Sequence, residues 1–596
     1  MKSLSLLLTF LTLSLSGCFS KSEKEAPGEQ VFNARLREQV NTLDPAISYD
    51  EVSLDIVPNI FETLYQYDYT ARPDQIVPLL AADKPTISKD RLTVTIPIRR
   101  GIKYQDDPAF KNTNGKGREL RARDFVLAWK RLADPRLKSP GWWIFEGKIK
   151  GASEWRERFL NAPAEERSAA FKAPIAGLQA LDDYTLRIAL EKPYPQLLYV
   201  LAMAFTAPIA HEVLDAYKNE EGALHEHPVG TGPFMLQEWV RGSKVVLVRN
   251  PNAHSDFYPM TGHKFYREQG LLEDAGKPLP FVSKVVYTIL PEEQPAWLKF
   301  LNGELDYIRI PKDSFDVAMT DLTTLSPELK EKGIQLFIDD GYTYYFLGFN
   351  MKDPLVGANK YLRQAMGSAI DREKFINLFA NGRGEQMTHL LPPQVVGRNK
   401  NARLKYDFNL DRAKALLKKA GYAEGKDLPP IRLDLRGSDT LSRQLGDFLT
   451  QSMAQIGVQL QVIYNTFPAY LEKAKNGQFQ AYYGGWTMDY PDAENALQLL
   501  YGPNSSPGPN ESNLDDPQYN ALYEKIAIQE PGPSRTSSIQ KMDEWIQELQ
   551  PWSYIYNRKD YALTQPWVKN FRIPGFINNR FKYLRIDLDV KKRMKR

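Results

Sequence analysis

From residue 31 onward, the 596-residue chain alternates between strand-like and helix-like segments. "LTVTIPI" (92–98) and "IRLDLRG" (431–437) are typical of strands. "RARDFVLAWKRLAD" (121–134) places its apolar side chains on one stripe of a helix. The segment 360–380 is predicted as one helix. This mixed order predicts several α/β lobes, which the chain length also favours at about 150 residues per domain.

The N-terminus carries an export signal. "MKSLSLLLTFLTLSLSGC" has a Lys near its start, an apolar run and small residues before Cys18, and it is too short to span a membrane. "LSGC" looks like a bacterial lipobox, which predicts a signal peptide (1–17) and a lipidated tether (18–30). The alternative is an ordinary signal peptide with Cys18 as an incidental thiol. We expect an exported, periplasmic protein, lipid-anchored to a bacterial membrane through Cys18.

Charge and motifs exclude several functions. Lys plus Arg total 77 and Asp plus Glu total 73, so the concentrated basic excess typical of nucleic-acid binding is missing. The sequence lacks the common nucleophile, nucleotide and zinc-protease motifs. With one Cys and 6 His, it offers no Cys site, and the neighbouring His211, His225 and His227 are interpreted as exposed. "GTGPF" (230–234) is interpreted as a tight turn. No metal or cofactor is predicted.

The stretch "GGWTMDYPDAEN" (484–495) holds three carboxylates. Pro491 and the polar run after it indicate a turn into a helix, with Asp492 as N-cap and Glu494 in the first turn. That leaves Asp489 without a structural role. The residues alone leave open whether Asp489 binds a cation or belongs to a catalytic acid pair, as in a secreted hydrolase.

Several longer segments together resemble one family. These are 41–68, "ELRARDFVLAWKRLADP", "HPVGTGPFMLQEWVRGSKVVLVRNPNAH" and "FLGFNMKDPLVGANKYLRQAMGSAIDREKFI". They resemble the extracellular solute-binding proteins of ATP-driven importers, of the dipeptide and oligopeptide-binding type. The resemblance implies an α/β, periplasmic binding protein type II-like fold, with two main lobes joined by a two-strand hinge plus an extra inserted lobe. Its implied boundaries are lobe I at 31–61, 185–310 and 556–596, lobe II at 62–184, and lobe III at 311–555.

The resemblance also implies a function. Members bind oligopeptides in the cleft between lobes and deliver them to the permease subunits of an ABC importer, with no catalysis, no cofactor and no nucleic acid, and we expect a monomer. The alternative keeps the fold and changes the ligand to a sugar, an opine, or a nickel or haem complex.

The implied ligand site centres on Asp489, which matches the family acid three residues after a Trp. That acid pairs with the α-ammonium group of the peptide, as a buried ammonium requires. Further ligand-binding residues implied by the resemblance are Trp486, Tyr490, Tyr483, Tyr49, Asp50, Glu51, Trp142, Trp143 and Phe145. Some members carry an Arg before the Trp to bind the peptide carboxylate. This chain has Tyr483 there, and Arg436 or Lys475 are the alternatives.

Overall fold

The computed structural model describes residues 28–594, and the predicted signal peptide, Cys18 and most of the tether lie outside this range. Strands and helices alternate along the chain, as the sequence pattern predicts. The strands are β1 (Val31–Leu36), β2 (Tyr65–Tyr67), β3 (Ile76–Pro78), β4 (Thr86–Ile87), β5 (Thr93–Pro97), β6 (Leu178–Asp182), β7 (Thr185–Ala189), β8 (Phe234–Val240), β9 (Lys244–Arg249), β10 (Lys284–Ile289), β11 (Tyr307–Arg309), β12 (Gln335–Phe349), β13 (Gly384–Gln386), β14 (Ile431–Arg436), β15 (Leu460–Asn465), β16 (Ala481–Thr487), β17 (Trp552–Thr564), β18 (Val568–Lys569) and β19 (Arg585–Ile586).

Helices cover the faces and ends of these strands. They are α1 (Glu51–Ile60), α2 (Ala122–Ala133), α3 (Ala152–Asn161), α4 (Arg167–Lys172), α5 (Leu197–Val200), α6 (His211–Tyr217), α7 (Lys264–Glu268), α8 (Glu293–Leu301), α9 (Phe315–Ala318), α10 (Pro327–Glu331), α11 (Lys360–Ser368), α12 (Arg372–Ala380), α13 (Leu410–Lys419), α14 (Thr440–Ala454), α15 (Phe467–Lys475), α16 (Ala493–Leu497), α17 (Pro517–Ile528), α18 (Pro533–Leu549) and α19 (Leu588–Met594).

A four-stranded sheet near the N-terminus has the order β1-β10-β9-β8, with β1 and β10 parallel. Every second side chain of β1 points into the core, as a half-buried strand requires, so Phe32 and Ala34 are buried. Their partners in the register, Val285 and Tyr287, are buried as well. A second four-stranded sheet, β4-β5-β7-β6, lies in the segment 86–189 and packs against α2, whose Trp129 is fully buried.

The largest sheet has seven strands in the order β11-β17-β12-β16-β14-β15, with β13 also paired to β17. Its two long strands, β12 and β17, run antiparallel, and their register shifts between Asp340 and Tyr344. Its strands come from residues 307 to 564, and β17 crosses the implied boundary at 555/556. The lobe boundaries remain a prediction.

Local expectations hold in most places and fail in one. The predicted helix 121–134 is α2, and the predicted strands 92–98 and 431–437 contain β5 and β14. The single helix predicted over 360–380 is wrong, because the segment forms α11 and α12. Asp371 lies between them as an N-cap, and its carboxylate accepts a hydrogen bond from the Lys374 backbone N–H at 2.9 Å.

The "GTGPF" segment is a turn that leads into β8, as predicted. The Gly232 N–H donates to the Ile60 carbonyl oxygen at 2.8 Å. A Cβ atom at Gly230 would lie 2.1 Å from the same oxygen, so only glycine allows this close approach. The two glycines therefore serve backbone packing against the end of α1.

No helix among residues 28–594 is both long enough and apolar enough to cross a membrane.

Candidate functional site

The acidic stretch after β16 folds as the sequence predicts. β16 ends at Thr487 and α16 begins at Ala493. The Asp492 carboxylate caps α16 by accepting a hydrogen bond from the Glu494 N–H at 2.9 Å. The roles predicted for Asp492 and Glu494 are confirmed, and Asp489 lies in the connection between strand and helix.

Asn495 holds Asp489 in place. Its amide nitrogen donates to Asp489 Oδ2 at 2.9 Å, and its amide oxygen accepts from the Asp489 backbone N–H at 3.0 Å. The same oxygen accepts from the Trp486 indole N–H at 3.1 Å. The Asn495 side chain of α16 thus fixes both the carboxylate and the indole. It does not bind the second carboxylate oxygen, Asp489 Oδ1.

Asp489 Oδ1 instead accepts a hydrogen bond from the Tyr49 hydroxyl at 3.3 Å. Tyr49 precedes α1 at the other end of the chain, and its ring stacks on Phe205 with centroids 5.7 Å apart. The structure therefore brings together two of the predicted site residues, which are 440 positions apart in sequence.

The electrostatic environment of Asp489 lacks a cation. Burial raises the pKa of the carboxyl to about 6, the hydrogen bonds from Asn495 and Tyr49 act in the opposite direction, and the charge of Glu494 adds to the increase. Within the described residues 28–594, no Lys, Arg or His forms an ion pair with Asp489. Such a carboxylate is a ready partner for a positive group brought by a ligand.

A row of stacked aromatic rings runs beside Asp489. The Tyr490 ring lies between those of Trp143, at 6.4 Å, and Tyr199, at 5.9 Å and nearly parallel. The row continues from Tyr199 to Tyr67 at 6.4 Å and from Tyr67 to Phe576 at 5.5 Å. These five residues come from five distant parts of the chain, so the row joins separate segments along one wall.

The helix that carries Asn495 is itself firmly anchored. Arg535 of α18 donates two hydrogen bonds to the Asp492 carboxylate, at 2.9 and 2.5 Å. The Glu494 carboxylate accepts hydrogen bonds from the hydroxyls of Tyr490 and Tyr523, each at 2.6 Å. Buried carboxylates need such partners, and here the partners fix the position of α16.

Some predicted site residues lie away from Asp489. Tyr483 points to the opposite face of β16 from Trp486, as strand alternation requires, and its ring packs on Tyr345 and Phe375. Trp142 and Phe145 are buried, and Phe145 packs against Trp129 at 5.3 Å. The structure gives these three side chains packing contacts.

The two acids that follow Tyr49, Asp50 and Glu51, make contacts away from Asp489. Asp50 is the N-cap of α1, because its carboxylate accepts from the Ser53 N–H and hydroxyl, each at 2.8 Å. Glu51 begins the helix and is largely exposed, 4.0 Å from Arg309. Of the residues predicted from this loop, only Tyr49 contacts Asp489.

Within residues 28–594, no ion pair joins Arg436 or Lys475, the alternative cations for the peptide carboxylate, to Asp489. The Arg436 guanidinium lies 3.8 Å from the centre of the exposed Phe467 ring, and Lys475 is exposed at the end of α15. The histidines near residue 220 do not converge either, since His225 contacts Thr42 and His227 stacks on Tyr217. No group of three His, Cys, Asp or Glu within residues 28–594 is arranged to hold a metal.

Asn495, Tyr199 and Tyr67 are not among the site residues predicted from the sequence. Asn495 lies within the quoted stretch, where its spacing from Asp489 across the predicted N-cap is a usable signal. Tyr199 and Tyr67 follow no motif, because their places depend on how distant segments pack.

The fold is that of the type II periplasmic binding proteins. The chain belongs to the bacterial extracellular solute-binding proteins, family 5, whose middle-region model matches residues 75–508. The dipeptide-binding protein of Escherichia coli (strain K12) is 26% identical over 460 residues, which are 74% of this chain and 76% of the relative. Heme-binding protein A of Haemophilus influenzae is 25% identical over 511 residues, which are 84% and 82% of the two chains.

A solved structure supports the fold. The periplasmic binding protein DppA from Helicobacter pylori, in complex with the peptide STSA, superposes with a TM-score of 0.70 at 22% identity. The match covers 94% of this chain and 98% of the other.

Proposed function

We propose that this protein is an extracytoplasmic receptor that binds peptides with a free N-terminus and delivers them to an ABC importer. The observation that carries the proposal is Asp489, a half-buried carboxylate that Asn495 orients and that forms no ion pair with a Lys, Arg or His of residues 28–594. The peptide-binding relative and the structural neighbour with bound peptide support the same ligand class.

In this proposal, the peptide α-ammonium donates hydrogen bonds to Asp489. Because both partners are charged, this bond is stronger than the hydrogen bond from the uncharged Tyr49 hydroxyl that the carboxylate accepts in the free protein. The row of rings around Tyr490 supplies an apolar wall beside the peptide. The protein binds and releases its ligand unchanged, with no catalytic step.

The same proposal includes the lipid anchor and the movement of the predicted lobes. Cys18 carries the lipid, the predicted lobe I and lobe III close over the peptide by a hinge on the long strands, and lobe II contributes Trp143. The receptor acts as a monomer that meets the permease subunits at the membrane.

Ligand selection from a peptide library tests the proposal. The full mature chain is incubated with an equimolar library of dipeptides to hexapeptides, half of them N-acetylated, and bound species are identified by native mass spectrometry. We expect enrichment of peptides with a free amine by the wild type and loss of that enrichment in Asp489→Asn. Glu544→Gln, which neutralises an exposed acid of α18, should retain it. Recovery of haem, a sugar or another ligand without an amine, in place of peptides, would refute the proposal.

A further inference from the structure

Lys148 lies on the same aromatic wall as Asp489. It follows the turn that contains Trp143 and precedes α3. Its Nζ atom lies 3.2 Å from the Tyr194 hydroxyl oxygen and 3.4 Å from the Trp143 carbonyl oxygen. It also lies 4.7 Å and 5.3 Å from the ring centres of the same two residues.

This ammonium group is half-buried and has no carboxylate partner. No ion pair within residues 28–594 includes Lys148. Burial lowers its pKa, and only the more distant charges of Glu494 and Glu146 oppose that effect. Glu494 is engaged elsewhere, because its two oxygens accept from Tyr490 and Tyr523. A desolvated cation with neutral partners alone is costly, unless a ligand supplies the negative charge.

Lys148 and Asp489 are connected through the aromatic row. The Trp143 ring, which Lys148 contacts, stacks on Tyr490, and Tyr490 directly follows Asp489 in sequence. The wall therefore carries an unneutralised anion and an unneutralised cation, separated by a pair of stacked rings. A zwitterionic ligand also carries one charge of each sign.

Two other cations, Arg535 and Arg72, show the usual arrangement, in which a carboxylate neutralises the charge. Arg535 binds Asp492 through two hydrogen bonds. Arg72 pairs with Asp339 at 3.0 Å. Lys148 differs from both in having only uncharged contacts.

We propose that Lys148, held in place by the Tyr194 hydroxyl oxygen, is the subsite for a carboxylate of the bound ligand. The carboxylate belongs either to the peptide C-terminus or to an acidic side chain, and both offer the same charge-assisted hydrogen bond to the ammonium. The assignment rests on the proposed peptide function, and it makes the receptor selective for ligands that carry a negative group near the Trp143 end of the wall.

Calorimetry with matched peptides tests the subsite. The probes are the series from di-alanine to penta-alanine as free acids, the same series as C-terminal amides, and Ala-Asp-Ala amide. For at least one length, or for the aspartyl peptide, we expect the wild type to bind the carboxylate form about tenfold tighter than the matched neutral peptide. Lys148→Met should reduce that preference to less than about twofold. Lys150→Met, an exposed lysine two residues away, should retain it.

The results distinguish the two sources of the carboxylate and test whether Lys148 binds it. Preference for the free acids identifies the C-terminus, and preference for Ala-Asp-Ala amide identifies a side chain. The assignment is overturned if the wild type binds peptides without any such preference, or if Lys148→Met leaves the preference unchanged.

A second measurement does not depend on peptide binding. In ligand-free protein with ¹³C-methylated lysines, the Lys148 signal is identified by its loss in Lys148→Arg and titrated with pH. We expect a pKa below the ordinary value of about 10.4, and a rise on addition of sodium acetate but not of sodium chloride at equal ionic strength. An ordinary or raised pKa, or no response to acetate, overturns the subsite. If no peptide binds but acetate raises the pKa, the peptide function fails and the carboxylate subsite stands.

Discussion

At the scale of single residues, Asp489 combines a fixed position with an unneutralised charge. Its backbone N–H and one carboxylate oxygen are bound by Asn495, while the other oxygen faces Tyr49. Burial raises the pKa of the carboxyl from 3.8 to about 6. The group therefore titrates close to neutral pH, where its ionisation affects both ligand binding and stability.

Peptide affinity should follow a bell-shaped pH profile. Binding needs the ionised Asp489, so affinity decreases below about pH 6, towards tenfold per unit, and it decreases again above the α-ammonium pKa of about 8. Calorimetry with tri-alanine between pH 4.5 and 9.5 measures this profile. Constant affinity from pH 7 to 4.5 would contradict a role for Asp489 charge.

The same pKa shift predicts a stability effect in the ligand-free protein. Because the folded-state pKa of Asp489 is raised, its contribution to stability is fully present below about pH 4 and is lost as pH rises through about 6. Asp489→Asn should then raise the free energy of unfolding at pH 7.5, by at most about 3 kcal/mol, and change it little at pH 4. Urea unfolding at both pH values measures the effect, with Glu544→Gln as the exposed control. A loss of stability at pH 7.5 would disagree with this account.

At the scale of elements, the short helix α16 depends on its anchor. Asp492 both caps the helix and pairs with Arg535, and the helix carries the Asn495 side chain that orients Asp489. Arg535→Met should lower the free energy of unfolding by about 3–5 kcal/mol, because it leaves the buried negative charge of Asp492 without its cation. Lys541→Met, at an exposed position of α18, should have little effect. Equal unfolding midpoints for the two variants would show that the pair is not structural.

In this chain, local sequence patterns predict local structure, but they do not predict contacts between segments that are distant in sequence. The polar residues after Pro491 predict the α16 cap, since a cap is made within three residues. The break at Asp371 is not predicted, because the apolar periodicity of a helix continues across it. The Asp371 side chain caps α12 and so ends the continuous helix that the periodicity indicates. The family resemblance identified Tyr49 and Asp489 separately, but only the fold shows their contact. Lys148 and Tyr199 have no motif, because their positions depend on how whole segments pack.

At the scale of the whole molecule, closure of the proposed cleft should depend on the Asp489 charge. The contacts Tyr49–Asp489 and Trp143–Tyr490 join separate structural units. Closing over an unpaired carboxylate is opposed by desolvation, and a bound ammonium removes that opposition. Asp489→Asn should therefore favour the closed arrangement without ligand.

Single-molecule energy transfer tests this prediction. With Cys18 replaced by Ser, no native Cys remains, so dyes can be placed at Lys89→Cys and Lys418→Cys, which are exposed positions in the predicted lobes II and III. We expect peptide to increase the closed fraction of this labelled protein, and Asp489→Asn to increase it without peptide. Identical distributions for the two proteins without ligand would show that the charge does not control closure.

The central claim is that Asp489 pairs with the α-ammonium of a peptide, and one thermodynamic cycle tests it directly. The affinities of tri-alanine and N-acetyl-tri-alanine are measured for the wild type and Asp489→Asn. We predict that the wild type prefers the free amine by at least about 30-fold, which is about 2 kcal/mol or more, and that the variant shows almost no preference. Equal binding of both peptides by the wild type, or the same preference in the variant, would contradict the claim.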